Sequence, residues 1–215
     1  MTAILYYVHD PMCAWCWGFR PQWDQLTQAL SSQYADKLRI ENLTGGLAKD
    51  CDQPMPKAMQ AAIQGYWHDI ETQLGTEFNF DFWTKNQPRR STFMSCRATI
   101  AIALQCHSPS SARDAQERMI DAIQRAYYLR ALDPSDTGVL AQLAQELGYD
   151  ADQFQRDLAS RALADEFDRQ LKFARSLPID GFPSLVLEHE GQRHPIQRDY
   201  HDYSAMLSAI AEYID

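Results

Sequence analysis

The chain has 215 residues, 45% hydrophobic and 11% aromatic, enough to bury a substantial core. It is long for one small domain and short for two independent ones, which points to one core carrying an insertion. A formal net charge of −9 argues against nucleic acid and anionic membranes as partners, because both demand clustered Lys and Arg.

The first residues, Met1-Thr2-Ala3-Ile4-Leu5, carry no basic stretch, no sufficient apolar run and no small-residue cleavage pattern. No stretch reaches the roughly 20 apolar residues that span a bilayer. On these grounds the expected location is the cytoplasm.

Ile4-Leu5-Tyr6-Tyr7-Val8 reads as a first strand, followed by a helix from about Cys13 to Leu30. Pro21 lies inside that helix and should kink it by removing one N–H and crowding the preceding turn. Leu38 to Leu43 alternates as a second strand, which Gly45-Gly46 ends. The middle, from about 50 to 177, reads as almost wholly helical. Phe93, Cys96, Ile100 and Leu104 share one face of a helix expected to continue to Cys106. Ile120, Ile123 and Tyr127 share another. Asp133-Pro134-Ser135-Asp136 looks like a cap for a helix over Leu140, Leu143 and Leu147, stopping at Gly148. A longer helix is predicted to carry Phe154 and Leu158, then Leu163, Phe167 and Leu171. Ser184 to Glu188, a turn through Glu190-Gly191-Gln192, and Arg193 to Ile196 read as a hairpin. Tyr203, Leu207, Ile210 and Ile214 mark a closing helix. This order fits one mixed four-stranded sheet whose halves are separated by a helical block, and excludes a regularly alternating doubly wound sheet.

The chemistry concentrates at Cys13-Ala14-Trp15-Cys16, where the first strand hands over to a helix. A thiolate there meets unpaired N–H groups and the positive end of the helix dipole, so the Cys13 thiol is expected below the free value of about 8.5. Cys16 lies one turn deeper and should keep a more ordinary, less accessible thiol. Cys13 is therefore the expected nucleophile and Cys16 the resolving thiol. A lone C-x-x-C gives a zinc site little support, and the scattered histidines show no metal spacing, so no metal is expected. His9 is singled out for its position beside the dithiol, with a loop-capping role and a catalytic one both open. Five cysteines do not make a disulfide-stapled scaffold. Cys96 and Cys106, about 15 Å apart along one helix, read as small buried thiols, and Cys51 as a surface thiol.

His9-Asp10-Pro11-Met12-Cys13-Ala14-Trp15-Cys16-Trp17-Gly18-Phe19 resembles the active-site segment of DsbA-like proteins in the thioredoxin superfamily, in the branch with Trp second between the cysteines. Asp180-Gly181-Phe182-Pro183-Ser184 resembles the second signature of that family, and Phe93 to Ala98 a helix start in its inserted domain. The resemblance implies an α/β thioredoxin fold, a mixed four-stranded sheet with flanking helices and an inserted all-helical domain. The thioredoxin-like part would be residues 1–48 and 178–215, and the insertion 49–177. It also implies a cis Phe182–Pro183 bond facing the dithiol, offering backbone groups to an extended peptide or glutathione. Trp15, Phe182 and Pro183 are thus expected to bind substrate. Trp17 and Phe19 would extend an apolar rim unless they belong to the core. Trp15 replaces the His of strongly oxidising members, and Asp10, if close, would raise the Cys13 thiol. Both favour a reductase or isomerase of protein and peptide disulfides over a maker of disulfides. No cofactor is implied beyond the dithiol itself, with glutathione as a candidate co-substrate. Two other readings stay open: a glutathione-dependent transferase or isomerase of the kappa-class and chromene-carboxylate isomerase type, and a non-catalytic client-binding module.

Overall fold

The structure, a computed structural model, describes residues 2–215. Four strands, β1 (Ala3–His9), β2 (Leu38–Thr44), β3 (Ser184–His189) and β4 (Gln192–Ile196), form one sheet in the order β2-β1-β3-β4. β1 runs parallel to β2 and antiparallel to β3, and β3 pairs antiparallel with β4. A parallel pair needs a crossover rather than a hairpin, and α1 (Ala14–Gln33) supplies it. The β3–β4 turn places Glu190 and Gly191 at φ 50° and 76°, the two left-handed residues a tight hairpin turn requires. Pro195 is tolerated in β4 because that strand is a sheet edge.

The two faces of β1 bury different partners, as strict alternation dictates. Leu5 and Tyr7 pack with Phe19, Trp23 and Leu26 of α1 and with Met206 and Ile210 of α9 (Tyr203–Ile214). Tyr6 and Val8 face Ala174 and Leu177 at the end of α8 (Arg161–Ser176). The last helix of the long interval between β2 and β3 therefore serves as one layer of the sheet's own sandwich.

The rest of that interval holds α2 (Lys57–Leu74), α3 (Phe82–Lys85), α4 (Phe93–Ala101), α5 (Pro109–Tyr128), α6 (Thr137–Glu146) and α7 (Ala151–Leu158). α4 to α8 share a core of Ile100, Met119, Leu140, Phe154 and Phe167. Trp67 of α2 centres an aromatic cluster with Phe78, Phe82, Tyr127 and Tyr128.

Two helices differ from their expected course. The helix begun at Phe93 tightens after Ala101 into a 3-10 turn over Ile102–Gln105, leaving Cys106 outside it in extended backbone. The single helix expected over Phe154 to Leu171 is two, α7 and α8. Ser160 caps α8 by accepting from the Leu163 N–H, a local bond that competes with continuing α7. Apolar spacing carries through the break, which is why periodicity missed it. α1 itself runs unbroken through Pro21.

Candidate functional site

Cys13 ends the short Asp10–Met12 loop and is the N-cap of α1, with extended backbone (φ −81°, ψ 118°) and no side-chain cap bond. Its own N–H donates to the Asp10 carbonyl at 3.0 Å. The first turn of α1 contains no acidic side chain, so no carboxylate of the helix itself offsets its positive end. Cys16 lies one turn further and is fully buried, whereas Cys13 keeps 7% of its surface exposed. Both thiols are free. Burial drives the Cys16 thiol well above its ordinary range, and the neighbouring Cys13 and the Asp10 carboxylate push in the same direction.

The second signature comes to this point from the far end of the sheet. The Phe182–Pro183 bond is cis. The Cys13 Sγ lies 3.6 Å from the Phe182 carbonyl oxygen, a contact joining positions 169 residues apart. Phe182 is itself seated on Gly45: a Cβ there would lie 2.0 Å from its ring, so only glycine admits the approach. Of the expected site residues, Cys13, Cys16, Phe182 and Pro183 are therefore brought together. Trp15 is partly exposed beside them, edge-on to Tyr200 at 5.4 Å.

Trp17 and Phe19 are not part of a rim. Trp17 stacks on Tyr128 at 5.7 Å and donates its indole N–H to the Glu77 carbonyl, tying α1 to the aromatic cluster. Phe19 is fully buried between Tyr7 and Tyr200. Helical spacing alone cannot separate the face of α1 that meets the sheet from a face that meets substrate.

Tyr200 was not anticipated. It precedes α9, packs on both Trp15 and Phe19, and burial raises its hydroxyl to about 12. A lone aromatic in a polar loop gives no periodic signal, so only the fold reveals it.

Asp10 does lie close enough to act on the dithiol, and its carboxylate is also a structural hub. It is wholly buried and accepts from the Met12 N–H (2.9 Å), the Leu47 N–H (2.7 Å) and the Thr92 hydroxyl (2.6 Å). Cys96, expected to be a merely apolar thiol, also donates to it at 3.4 Å. Desolvation nevertheless outweighs these donors, and the carboxyl is raised above its ordinary value. The Cys96 thiol is pushed well up by burial and by Asp10.

His9 does not cap the loop. Its ring is fully buried, stacked on Tyr7 at 5.0 Å, and neither ring nitrogen has a hydrogen-bond partner among the described residues. Burial, reinforced by the nearby Arg20 charge, lowers it to about 3. The unfolded chain takes up this proton near pH 6.5 and the folded one only near 3, so His9 draws stability down as pH falls through that window. The loss should reach about 4–5 kcal/mol at the acid end. Denaturant titrations from pH 7 to 4 should show a clearly shallower acid slope in His9→Phe, and an unchanged slope would refute this assignment.

Among the described residues, no group of three or more His, Cys, Asp or Glu side chains could hold a metal, and no helix is long and apolar enough to cross a membrane. The arrangement instead offers two buried sulfurs, Cys13 at the N-cap keeping 7% of its surface exposed and Cys16 none, with a backbone wall beside them, the parts needed for exchange between a dithiol and a disulfide.

The profile of the family described as Thioredoxin matches residues 6–205. Among solved structures, a candidate protein disulfide isomerase from Nitrosomonas europaea is 25% identical, with a TM-score of 0.80 over 99% of this chain and 98% of that one. The cytosolic disulfide reductase DsbM from Pseudomonas aeruginosa is 22% identical, with a TM-score of 0.69 over 98% and 94%. DsbM also has a structure with GSH, which this chain matches with a TM-score of 0.67. Among curated proteins, the ClpXP adapter protein SpxH of Bacillus subtilis is 22% identical over 94% of this chain, which spans 66% of that relative's length.

Proposed function

The chain belongs to the thioredoxin family, and from that premise we propose that it is a thiol-disulfide oxidoreductase working as a reductase or isomerase. The observation that carries this reading is the placement of the Cys13 sulfur at the N-cap of α1, 3.6 Å from the Phe182 carbonyl, with Cys16 buried one turn behind it.

In the proposed cycle the Cys13 thiolate attacks one sulfur of a client disulfide. A Cys13–client bond forms, the client S–S bond breaks, and the other client sulfur leaves as thiolate. Cys16, after losing its proton, attacks the Cys13 sulfur and releases the second client thiol. Two electrons have passed to the client, and a Cys13–Cys16 disulfide remains. Two molecules of glutathione, a reductant compatible with the GSH structure of DsbM, would restore the dithiol by two further exchanges and leave as glutathione disulfide. Phe182 and Pro183 are proposed to align the client chain, and Trp15 to cover its apolar part. A reducing compartment such as the cytosol suits this direction of flow.

The positions of the two sulfurs favour division of labour between them. A Cys16→Ser protein should accumulate client–Cys13 mixed disulfides, visible by mass spectrometry, and lose most multiple-turnover reduction of insulin. Full turnover without Cys16 would instead indicate glutathione transfer through one thiol.

The curated SpxH relatives, which are adapters, favour a second reading in which this fold holds a client without chemistry. A double Cys13→Ala, Cys16→Ala protein that binds clients like the parent, together with a parent inactive on insulin, would decide for it.

A further inference from the structure

A cleft of about 660 Å³ lies outside the dithiol site, between β2, the end of α1 and the start of α5. That volume is within the roughly 300–1,000 Å³ of ligand pockets. β2 is a sheet edge, and its outer side forms the cleft's floor from Leu38 to Leu43. The direction of its backbone groups follows from three hydrogen bonds. The Lys37 carbonyl and the Gly45 N–H bond to β1, so odd-numbered positions face inward. The Leu38 N–H donates to Tyr34, and the Thr44 N–H to Gln170 Oε1, so even-numbered positions face outward. Ile40 and Asn42 therefore present their backbone N–H and C=O to the cleft, between two ends that are already capped.

Two side chains add to this. Asn42 is 8% exposed, and neither its amide nitrogen nor its amide oxygen has a partner among the described residues. A buried, unpaired primary amide is rare, because each of its groups has given up water without gaining a partner. Arg113 lines the same cleft. Its Nε is buried and unpaired, and it forms no ion pair among the described residues, whereas Arg39 is matched by Glu41 and Arg169 by Glu166.

We infer that this cleft binds a short extended peptide segment bearing a carboxylate. The segment adds to the edge of β2 at Ile40–Asn42, its amides meet the Asn42 side chain, and its carboxylate meets Arg113. A peptide is the ligand whose repeating unit both donates and accepts at strand spacing. The free guanidinium selects the acidic member, since Arg pairs with carboxylate through two parallel bonds.

The test uses the full chain, nitrogen-15 labelled, titrated with acetyl-Thr-Val-Glu-Val-Thr-amide, its Gln analogue, and the Gln analogue with a free C-terminal carboxylate. Saturable shifts at the Ile40 and Asn42 amides are expected. Arg113→Gln should weaken whichever carboxylate probe binds by about tenfold or more, while leaving the neutral probe unchanged. The probe that responds identifies the carboxylate as side-chain or terminal. Cys13→Ser should bind like the parent, which separates this site from the dithiol and keeps its outcome independent of the redox proposal. No saturable shift at millimolar probe, shifts centred on Cys13 and Phe182, or equal binding of all probes by Arg113→Gln would each overturn the inference.

Discussion

A Cys13→Ser protein should lose insulin reduction by at least roughly a thousandfold while keeping its fold. The exchange of sulfur for oxygen is nearly isosteric, at a side chain whose polar contact outside the dithiol is the 3.6 Å approach to the Phe182 carbonyl. Stability should therefore move by less than about 1 kcal/mol. Chemically the change is complete: a serine hydroxyl is not ionised near neutral pH, and an oxygen cannot form the mixed disulfide that carries the electrons. Cys16 cannot substitute as the entry point, being fully buried and held protonated by its surroundings. Turnover of insulin with glutathione as reductant reads the loss directly. A Cys13→Ser protein retaining even a tenth of the parent rate would remove Cys13 from the role of nucleophile.

Asp10→Ala should destabilise the protein by about 3–5 kcal/mol, measured by urea titration at neutral pH. Truncation leaves the buried Met12 N–H and Thr92 hydroxyl, and the partly buried Leu47 N–H, without their acceptor. It also unfastens three segments at once: the loop before Cys13, the stretch after β2, and the start of α4. The offsetting gain is relief of a buried charge, and the raised carboxyl shows that this charge is costly. Because its folded value lies above its unfolded one, Asp10 contributes most at low pH and loses that contribution as pH rises through the folded value. The penalty of Asp10→Ala should thus grow on mild acidification, opposite in sign to the acid loss assigned to His9. A penalty below 1 kcal/mol, or one that shrinks toward acid, would show that the loop is held by something else.

The parts of this site that were legible in the sequence are those whose chemistry is local. Cys13 and Cys16 stand at a strand-to-helix junction, and that junction already dictates which of the two lies at the helix cap and which one turn deeper, although both are buried. Phe182-Pro183 was legible only through its resemblance to a second signature, because nothing in its own spacing points to residue 13. Asp10, Thr92 and Cys96 were not legible as a unit. Thr92 and Cys96 lie 82 and 86 positions from Asp10, and a hydrogen-bonded hub leaves no periodic trace. The break at Ser160 was hidden for the opposite reason, since Phe154, Leu158, Leu163 and Phe167 keep facing one core across two helices. Gly45 was read as a strand breaker. Its second duty, admitting the Phe182 ring, depends on a neighbour that only the closed sheet supplies.

The central strand of the sheet also sets an order of events on the ribosome. β1 has β2 beside it almost at once, but its other neighbour, β3, is made only after the long helical interval. At ordinary elongation rates of about 5–20 residues per second, the 169-position separation of Cys13 and Phe182 corresponds to a delay on the order of ten seconds. Throughout it, the nascent chain displays an unpaired apolar edge together with a thiol whose opposing wall has yet to be synthesised. The newborn protein is therefore most exposed to oxidants and to sticking before its last strands emerge.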